Sequence, residues 1–169
     1  MKRLAFLMIM LVCAAAPASA APEKGKTLFI HVKSQLSGDD ARMAIIPLVV
    51  VNALRQGSHV VLYFDAGGAT AVRMGRWYGG HSTPLDRAAI RSQERRRLAD
   101  LLGLQPADLP DNYGDLLHFL KGRGVAVYVN KTALQLRGIK DDEYDHAAEA
   151  ITEERMIELL GQSTIYVSY

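Results

Sequence analysis

Five histidines are the first candidates for chemistry, because neutral imidazole is the commonest protein ligand of transition metals and transfers protons near neutral pH. They stand at His31, His59, His81, His118 and His146. No two of them are two or four residues apart, so only folding could assemble a metal site. His31 and His81 are the candidate metal ligands, although a structural or solvent-exposed histidine is the simpler interpretation of each. The sequence assigns no metal and no cofactor.

A second candidate site is the run Asn130-Lys131-Thr132, which follows a buried apolar run and opens a short helix. The free N–H groups of a helix N-terminus, together with the charge of Lys131, could bind an anion or a polar ligand. Asn130 could equally well only cap the helix, a role in which asparagine is favoured. The sequence leaves both interpretations open.

Two further segments have compositions that suit ligand binding. The turn Asp65-Ala66-Gly67-Gly68 contains glycines, which let a bound group come close to the backbone, but an ordinary strand-to-loop turn has the same composition. Arg76 and Trp77 could form a cationic and aromatic lid, or they could anchor a subunit interface, where these residue types are enriched. The candidate ligand-binding residues are therefore His31, Asp65, Gly67, Gly68, Arg76, Trp77, Asn130, Lys131 and Thr132.

The N-terminal segment has the three-part layout of a secretory signal. Met1-Lys2-Arg3 precedes an apolar run at residues 4–12, and Ala18-Ser19-Ala20 forms a cleavage site. The run is shorter than the roughly 20 residues that span a bilayer. We therefore expect a signal peptide at 1–20, a single domain at 21–169 without a membrane span, and a periplasmic or secreted location. Since the only cysteine is Cys13, the mature chain would contain neither a disulfide nor a thiol nucleophile.

Charge balance argues against two classes of partner. The whole chain has 20 basic and 18 acidic residues, and the signal segment contains two of the basic ones. The mature chain is therefore formally neutral, whereas proteins that bind nucleic acid or anionic membranes usually carry a basic excess. We expect no nucleic-acid partner.

The pattern along the chain predicts alternating strands and helices. Short apolar runs rich in β-branched and aromatic residues predict strands at 27–32, 60–64, 125–129 and 163–168, with a weaker one at 148–151. Helical spacing and capping signals predict helices at 41–54, 86–102, 112–121, 131–137 and 153–161. The first of these helices has its predicted cap at Gly38-Asp39-Asp40. Pro47 predicts a kink in the first helix or a helix that starts near it. The alternation indicates a three-layer α/β/α sandwich with a mainly parallel sheet of about five strands, whose carboxyl edge carries the candidate residues.

This order of elements resembles the DsrE/DsrF-like family of sulfur-relay proteins over nearly the whole mature chain. The most specific part is Gly124 to Ile139, a valine-rich strand and a short helix that ends in Arg-Gly-Ile. The resemblance implies a five-stranded fold, frequent oligomers and, in active members, a persulfide on a cysteine after that strand. Here Asn130 occupies that position, and an amide can neither hold a persulfide nor attack sulfur.

Two functional hypotheses follow. The first is a periplasmic, DsrE-like binding or assembly module linked to sulfur or redox metabolism, non-catalytic and without persulfide transfer, with a homo-oligomer or a periplasmic protein as its partner. The alternative is a small-ligand-binding or metal-binding protein, or an enzyme, that uses non-thiol residues at the carboxyl edge. The first is the leading hypothesis, because Asn130 stands at the reactive position of a family-like frame. No Ser-His-Asp arrangement, paired carboxylates or phosphate-binding loop is evident.

Overall fold

The computed structural model describes residues 25–36, 41–75 and 80–169. The predicted signal peptide (1–20), the predicted helix cap at Gly38-Asp39-Asp40, and the candidates Arg76 and Trp77 lie outside these residues. No helix in the described part of the chain combines the length and apolar composition that a membrane crossing requires.

A five-stranded, fully parallel sheet forms the centre of the molecule. Its strands are β1 (Thr27–Val32), β2 (His59–Phe64), β3 (Ala126–Asn130), β4 (Glu149–Ile151) and β5 (Ile165–Ser168). Their spatial order is β4-β3-β2-β1-β5. The parallel sheet and all five predicted strands are confirmed, including the weak one before the last helix.

Among the described residues, five α-helices connect the strands. They are α1 (Ala41–Arg55), α2 (Ser92–Leu102), α3 (Tyr113–Gly122), α4 (Lys131–Leu136) and α5 (Glu153–Gly161). 3-10 helices at Ala66–Val72 and Pro106–Asp108 lie in the connections. The first replaces the turn predicted at Asp65-Ala66-Gly67-Gly68 and continues to Val72.

The helix predicted at 86–102 begins only at Ser92. The hydroxyl of Thr83 donates a hydrogen bond to the Asp86 carboxylate at 3.0 Å, which closes a turn. The N–H of Ile90 then donates to the Asp111 carbonyl oxygen at 2.8 Å. Because the chain before Ser92 is bonded to the segment that precedes α3, its backbone groups are not available for a helix.

Pro47 does not interrupt α1, which is continuous from Ala41 to Arg55. Proline removes one backbone hydrogen bond from a helix interior, at a cost of about 3 kcal/mol. Met43, Ile46 and Val50 are buried on the same helix. The apolar burial of this face offsets the missing bond, so the helix continues through Pro47 and does not begin near it.

The two faces of the sheet are covered by different layers. Leu28, Ile30 and Val32 of β1 face the main core, to which α1, α2, α3 and α4 all contribute. The alternating residues, Phe29 and His31, lie on the opposite face, where Leu159 and Met156 of α5 pack on a smaller core. The connections from β1 through β2 and β3 to β4 lie on the first face. Helix α5 then crosses the opposite face and leads to β5 at the other edge of the sheet, next to β1. The three layers form the predicted α/β/α sandwich.

Candidate functional site

The structure brings together two candidates that the sequence placed at the ends of neighbouring strands. His31 lies near the end of β1, and Asp65 follows β2, which pairs with β1 in parallel register. The imidazole Nε2 is 3.1 Å from Asp65 Oδ2. Both side chains are partly shielded, at 13% and 23% exposure. The N–H of Asp65 also donates to the Val32 carbonyl at 2.9 Å, which fixes the carboxylate beside the first strand.

A third group, the phenol of Tyr166, completes a chain of hydrogen bonds. Tyr166 Oη is 3.0 Å from His31 Nδ1. Ser168 is the direct partner of His31 in β5, so Tyr166 reaches the imidazole from the diagonal position on the same face. In the neutral imidazole, Nε2–H donates to Asp65, because a carboxylate can only accept, and Nδ1 then accepts the hydrogen of the Tyr166 hydroxyl. The order is carboxylate, imidazole, phenol.

Aromatic rings surround the imidazole and limit its movement. The ring of Phe29 meets it edge-on with centroids 6.2 Å apart, and the ring of Tyr63 is tilted against it at 5.2 Å. Tyr166 also stacks on Phe29 at 6.1 Å. Such contacts hold the imidazole in one orientation on the second face of the sheet.

Tyr63 is fully buried, and its hydroxyl has no hydrogen-bond partner in the described part of the chain. Burial raises the pKa of this phenol, and the negative charges of Asp65 and Glu153 raise it further. The side chain of Asn130 acts in the opposite direction, although it does not reach the hydroxyl with the geometry of a hydrogen bond. Tyr63 is therefore a neutral phenol beside the imidazole.

The glycines after Asp65 allow two segments of backbone to pack closely against each other. Asp65 Oδ1 accepts the N–H of Ala66 at 2.6 Å and so caps the 3-10 helix. A Cβ atom on Gly68 would overlap the Val32 carbonyl oxygen, and one on Gly67 would lie 2.8 Å from the backbone nitrogen of Gln35. The close approach that these glycines permit is made by the chain that follows β1.

At the entrance of α4, the side chain of Asn130 is used as a cap. Its Oδ1 accepts the N–H of Ala133 at 2.9 Å, and the residue is 7% exposed. Lys131 and Thr132 are exposed. This entrance lies near the Asp65 turn, because Val129 pairs with Phe64 in parallel register, so that Asn130 and Asp65 follow on neighbouring strands. At the other end of α4, Nε of Arg137 donates to the Ala66 carbonyl at 2.8 Å.

The other histidines do not join this edge in a metal-binding arrangement. His81 is exposed in the connection before α2, and His59 is exposed at the opposite, amino edge of β2. His118 Nε2 contacts Asp145 Oδ1 at 2.8 Å, at the connection between α4 and β4. Among the residues that the structure describes, no three His, Cys, Asp or Glu side chains are grouped as metal ligands.

Sequence reasoning missed the phenols of Tyr166 and Tyr63. Alternation along the strands is a signal that places Phe29 and His31 on one face, and also Tyr166 and Ser168. The sequence does not show that β5 lies beside β1, so it could not identify Tyr166 as the neighbour of His31.

The fold and this edge define a class of protein: a parallel, five-stranded α/β/α sandwich with a hydrogen-bonded His–Asp pair at its carboxyl edge and an amide where the fourth helix begins.

No protein-family model matches the sequence, and no curated protein matches it. Similar folds do exist among solved structures. The ychN protein from E. coli superposes with a TM-score of 0.54 at 14% identity, over 86% of this chain and 99% of its own.

A second similar structure is the protein of unknown function MTH1491 from Methanobacterium thermoautotrophicum. Its TM-score is 0.50 at 11% identity, over 85% of this chain and 99% of its own. Both neighbours have the DsrE-like α/β fold, and the chain shares that fold. Identities this low show the fold and nothing about activity.

Proposed function

We propose that this chain is an exported, DsrE-like binding or assembly module that takes no part in covalent sulfur transfer. The observation that carries the proposal is Asn130 at the entrance of α4, with its Oδ1 bonded to the N–H of Ala133 at 2.9 Å. In the family that the chain resembles, active members carry their persulfide at this position. The position here serves to start a helix.

The chemistry supports this distinction. A cysteine at a helix N-terminus is readily ionised, because the helix dipole and free N–H groups stabilise the thiolate. The side chain of Asn130 also accepts a hydrogen bond from a free N–H of the helix. Its amide contains no sulfur that could be oxidised, and it does not form an anion that could attack sulfur. The strand and helix around position 130 therefore match the resemblance, but the group that would carry sulfur is absent.

Sulfur loading of three proteins tests the proposal. Residues 21–169, the variant Asn130→Cys and the variant Leu136→Cys are incubated with inorganic polysulfide, and bound sulfur is measured by intact mass. Leu136 is the matched control, because it is 84% exposed at the far end of the same helix. We expect no sulfur on the unchanged chain, and faster loading of the Asn130→Cys variant than of the Leu136→Cys variant. Sulfur bound covalently to the unchanged chain would contradict the proposal.

The proposed periplasmic location and the link to sulfur or redox metabolism rest on the N-terminal sequence and on the family resemblance. Cell fractionation of the full-length chain tests the location. We expect the protein in the exported fraction, shortened after Ala20. Full-length protein in the cytoplasmic fraction, with residues 1–20 still attached, would contradict it.

A partner is proposed at the end of the chain, where apolar side chains face outwards. Ile157 and Leu160 of α5 are 63% and 37% exposed. Exposed apolar groups are typical of association surfaces. We expect a second copy of the chain there, so the solution mass should exceed that of one chain. The substitution Ile157→Glu should lower it towards the monomer.

A second candidate function is supported by the contact between His31 and Asp65. A partly shielded imidazole with an oriented carboxylate suits ligand binding or proton transfer without a thiol. The metal version of this candidate is tested by elemental analysis of tag-free protein. A stoichiometric metal that is lost in His31→Ala would support it, and metal-free protein would contradict it.

A further inference from the structure

The hydrogen-bonded chain from Asp65 through His31 to Tyr166 has the parts of a nucleophilic site. A weak nucleophile becomes reactive when a base lies within hydrogen-bond reach and a third group orients that base. The phenol is 3.0 Å from the imidazole, and the imidazole is 3.1 Å from the carboxylate. The three groups come from β1, β5 and the end of β2, so the fold assembles them from distant parts of the sequence.

The side chain at the outer end of this hydrogen-bonded chain is more exposed than the two behind it. Tyr166 at the outer end is 48% exposed, whereas His31 and Asp65 are mostly shielded, at 13% and 23%. A purely structural link between strands does not require an exposed side chain at its end. The nucleophile can therefore meet a substrate while the base and its carboxylate stay fixed behind it.

We infer that Tyr166 accepts an acyl group from an activated acyl donor, an aryl ester or a thioester, with His31 as the base. The phenol O–H bond breaks as a bond forms between Tyr166 Oη and the acyl carbon, and the proton passes to His31 Nδ1. The carboxylate of Asp65 stabilises the resulting imidazolium through Nε2–H. The bond from the acyl carbon to the leaving oxygen or sulfur breaks, and the leaving group takes the proton from His31. No atom changes its oxidation state.

The substrate class follows from the leaving groups. An ordinary phenol has a pKa of about 10 and a thiol one of about 8.5. Transfer from a thioester or an aryl ester to a phenol is therefore close to balanced, whereas an alkyl ester or an amide has a much poorer leaving group. The acyl-tyrosine is itself an aryl ester. Water, deprotonated by the same imidazole, can hydrolyse it and restore the phenol.

This inference deepens the second candidate function and does not depend on the absence of persulfide transfer. The test uses residues 21–169 with 4-nitrophenyl acetate near neutral pH, and follows nitrophenol release and the site of acetylation by peptide mass. We expect a burst of nitrophenol, acetylation at Tyr166, and loss of that burst in Tyr166→Phe. Tyr128→Phe, which removes a half-buried phenol of β3 on the same face, is the matched control and should leave the burst unchanged.

The base is tested separately with His31→Gln. General-base assistance typically contributes about 100-fold to 10,000-fold, so acetylation of Tyr166 should slow by at least about 100-fold. The dependence of its rate on pH should change as well, because the glutamine amide cannot take up the proton. Circular dichroism verifies folding; if this variant does not fold, Asp65→Asn replaces it, with a smaller decrease expected. Acetylation elsewhere than Tyr166, or an unchanged rate and pH profile in the folded base variant, would overturn the inference.

Discussion

The loss of the cap at Asn130 should destabilise the protein more than the loss of an ordinary surface cap. Replacement of a helix cap by alanine costs about 1 kcal/mol. The bond to the Ala133 N–H is buried, so its donor would also lose its partner away from water, at a further cost of about 1 kcal/mol. We therefore expect Asn130→Ala to lower the free energy of unfolding by about 2 kcal/mol, which corresponds to about 6 °C in Tm.

Two comparison variants separate the cap from the volume of the side chain. Asn112 caps α3 in the same way, with Oδ1 accepting the Asp115 N–H at 2.8 Å, but this bond is exposed. Asn112→Ala should therefore cost only about 1 kcal/mol. Asn130→Ser retains a capping oxygen and should recover about half of the loss.

Urea denaturation of residues 21–169, followed by circular dichroism, measures all three free energies. The slope with urea should remain the same, because each change is local. If Asn130→Ala costs no more than Asn112→Ala, the buried cap is not what holds Asn130 in place. A direct role for the amide in ligand binding would then be favoured.

Gly68→Ala should destabilise the protein by about 1–3 kcal/mol, because its Cβ would overlap a backbone carbonyl. Gly122→Ala, with open space around it, should be neutral or stabilising by up to about 1 kcal/mol. If urea denaturation shows that the two variants lose similar amounts of stability, the close packing at Gly68 is refuted. Tyr113→Phe should cost about 1.5–3 kcal/mol, since it removes a 2.6 Å hydrogen bond to the buried Glu94, whereas Tyr63→Phe removes an unpartnered hydroxyl and should be nearly neutral. Burial is the main cause that raises the pKa of the Tyr63 and Tyr113 phenols. The stability that their neutral forms provide is therefore fully present below pH 10, the ordinary tyrosine pKa, and is lost as pH rises above that value. Stability that does not fall in strong alkali would contradict this sign.

The regular strands could be predicted because they are short, apolar runs bounded by turn residues. The parallel pairing followed from the helices between them. Sequence periodicity could not show that the chain before Ser92 bonds to the segment preceding α3, since that contact joins residues far apart. It also could not show that the burial of one helix face outweighs the cost of Pro47. Both are tertiary effects that override local preference.

The candidate site was predicted in part for the same reason. The rule that polar groups collect at the carboxyl edge of a parallel sheet predicted that His31 and Asp65 lie at that edge, and the structure places the two side chains 3.1 Å apart there. Tyr166 could not be selected, because β5 reaches β1 only after α5 has crossed from the opposite edge of the sheet. The glycines at 67 and 68 fit the predicted close approach, but the approaching group is the chain itself.

The most direct test of the central claim is transfer of radioactive sulfur to the unchanged mature chain. Residues 21–169 are incubated with ³⁵S-labelled polysulfide, separated from free sulfur under denaturing conditions, and counted. With Asn130 as a helix cap and no thiol in this part of the sequence, we expect no radioactivity on the polypeptide above that of a cysteine-free control protein. One sulfur atom bound per chain, and released by a reductant, would contradict the account.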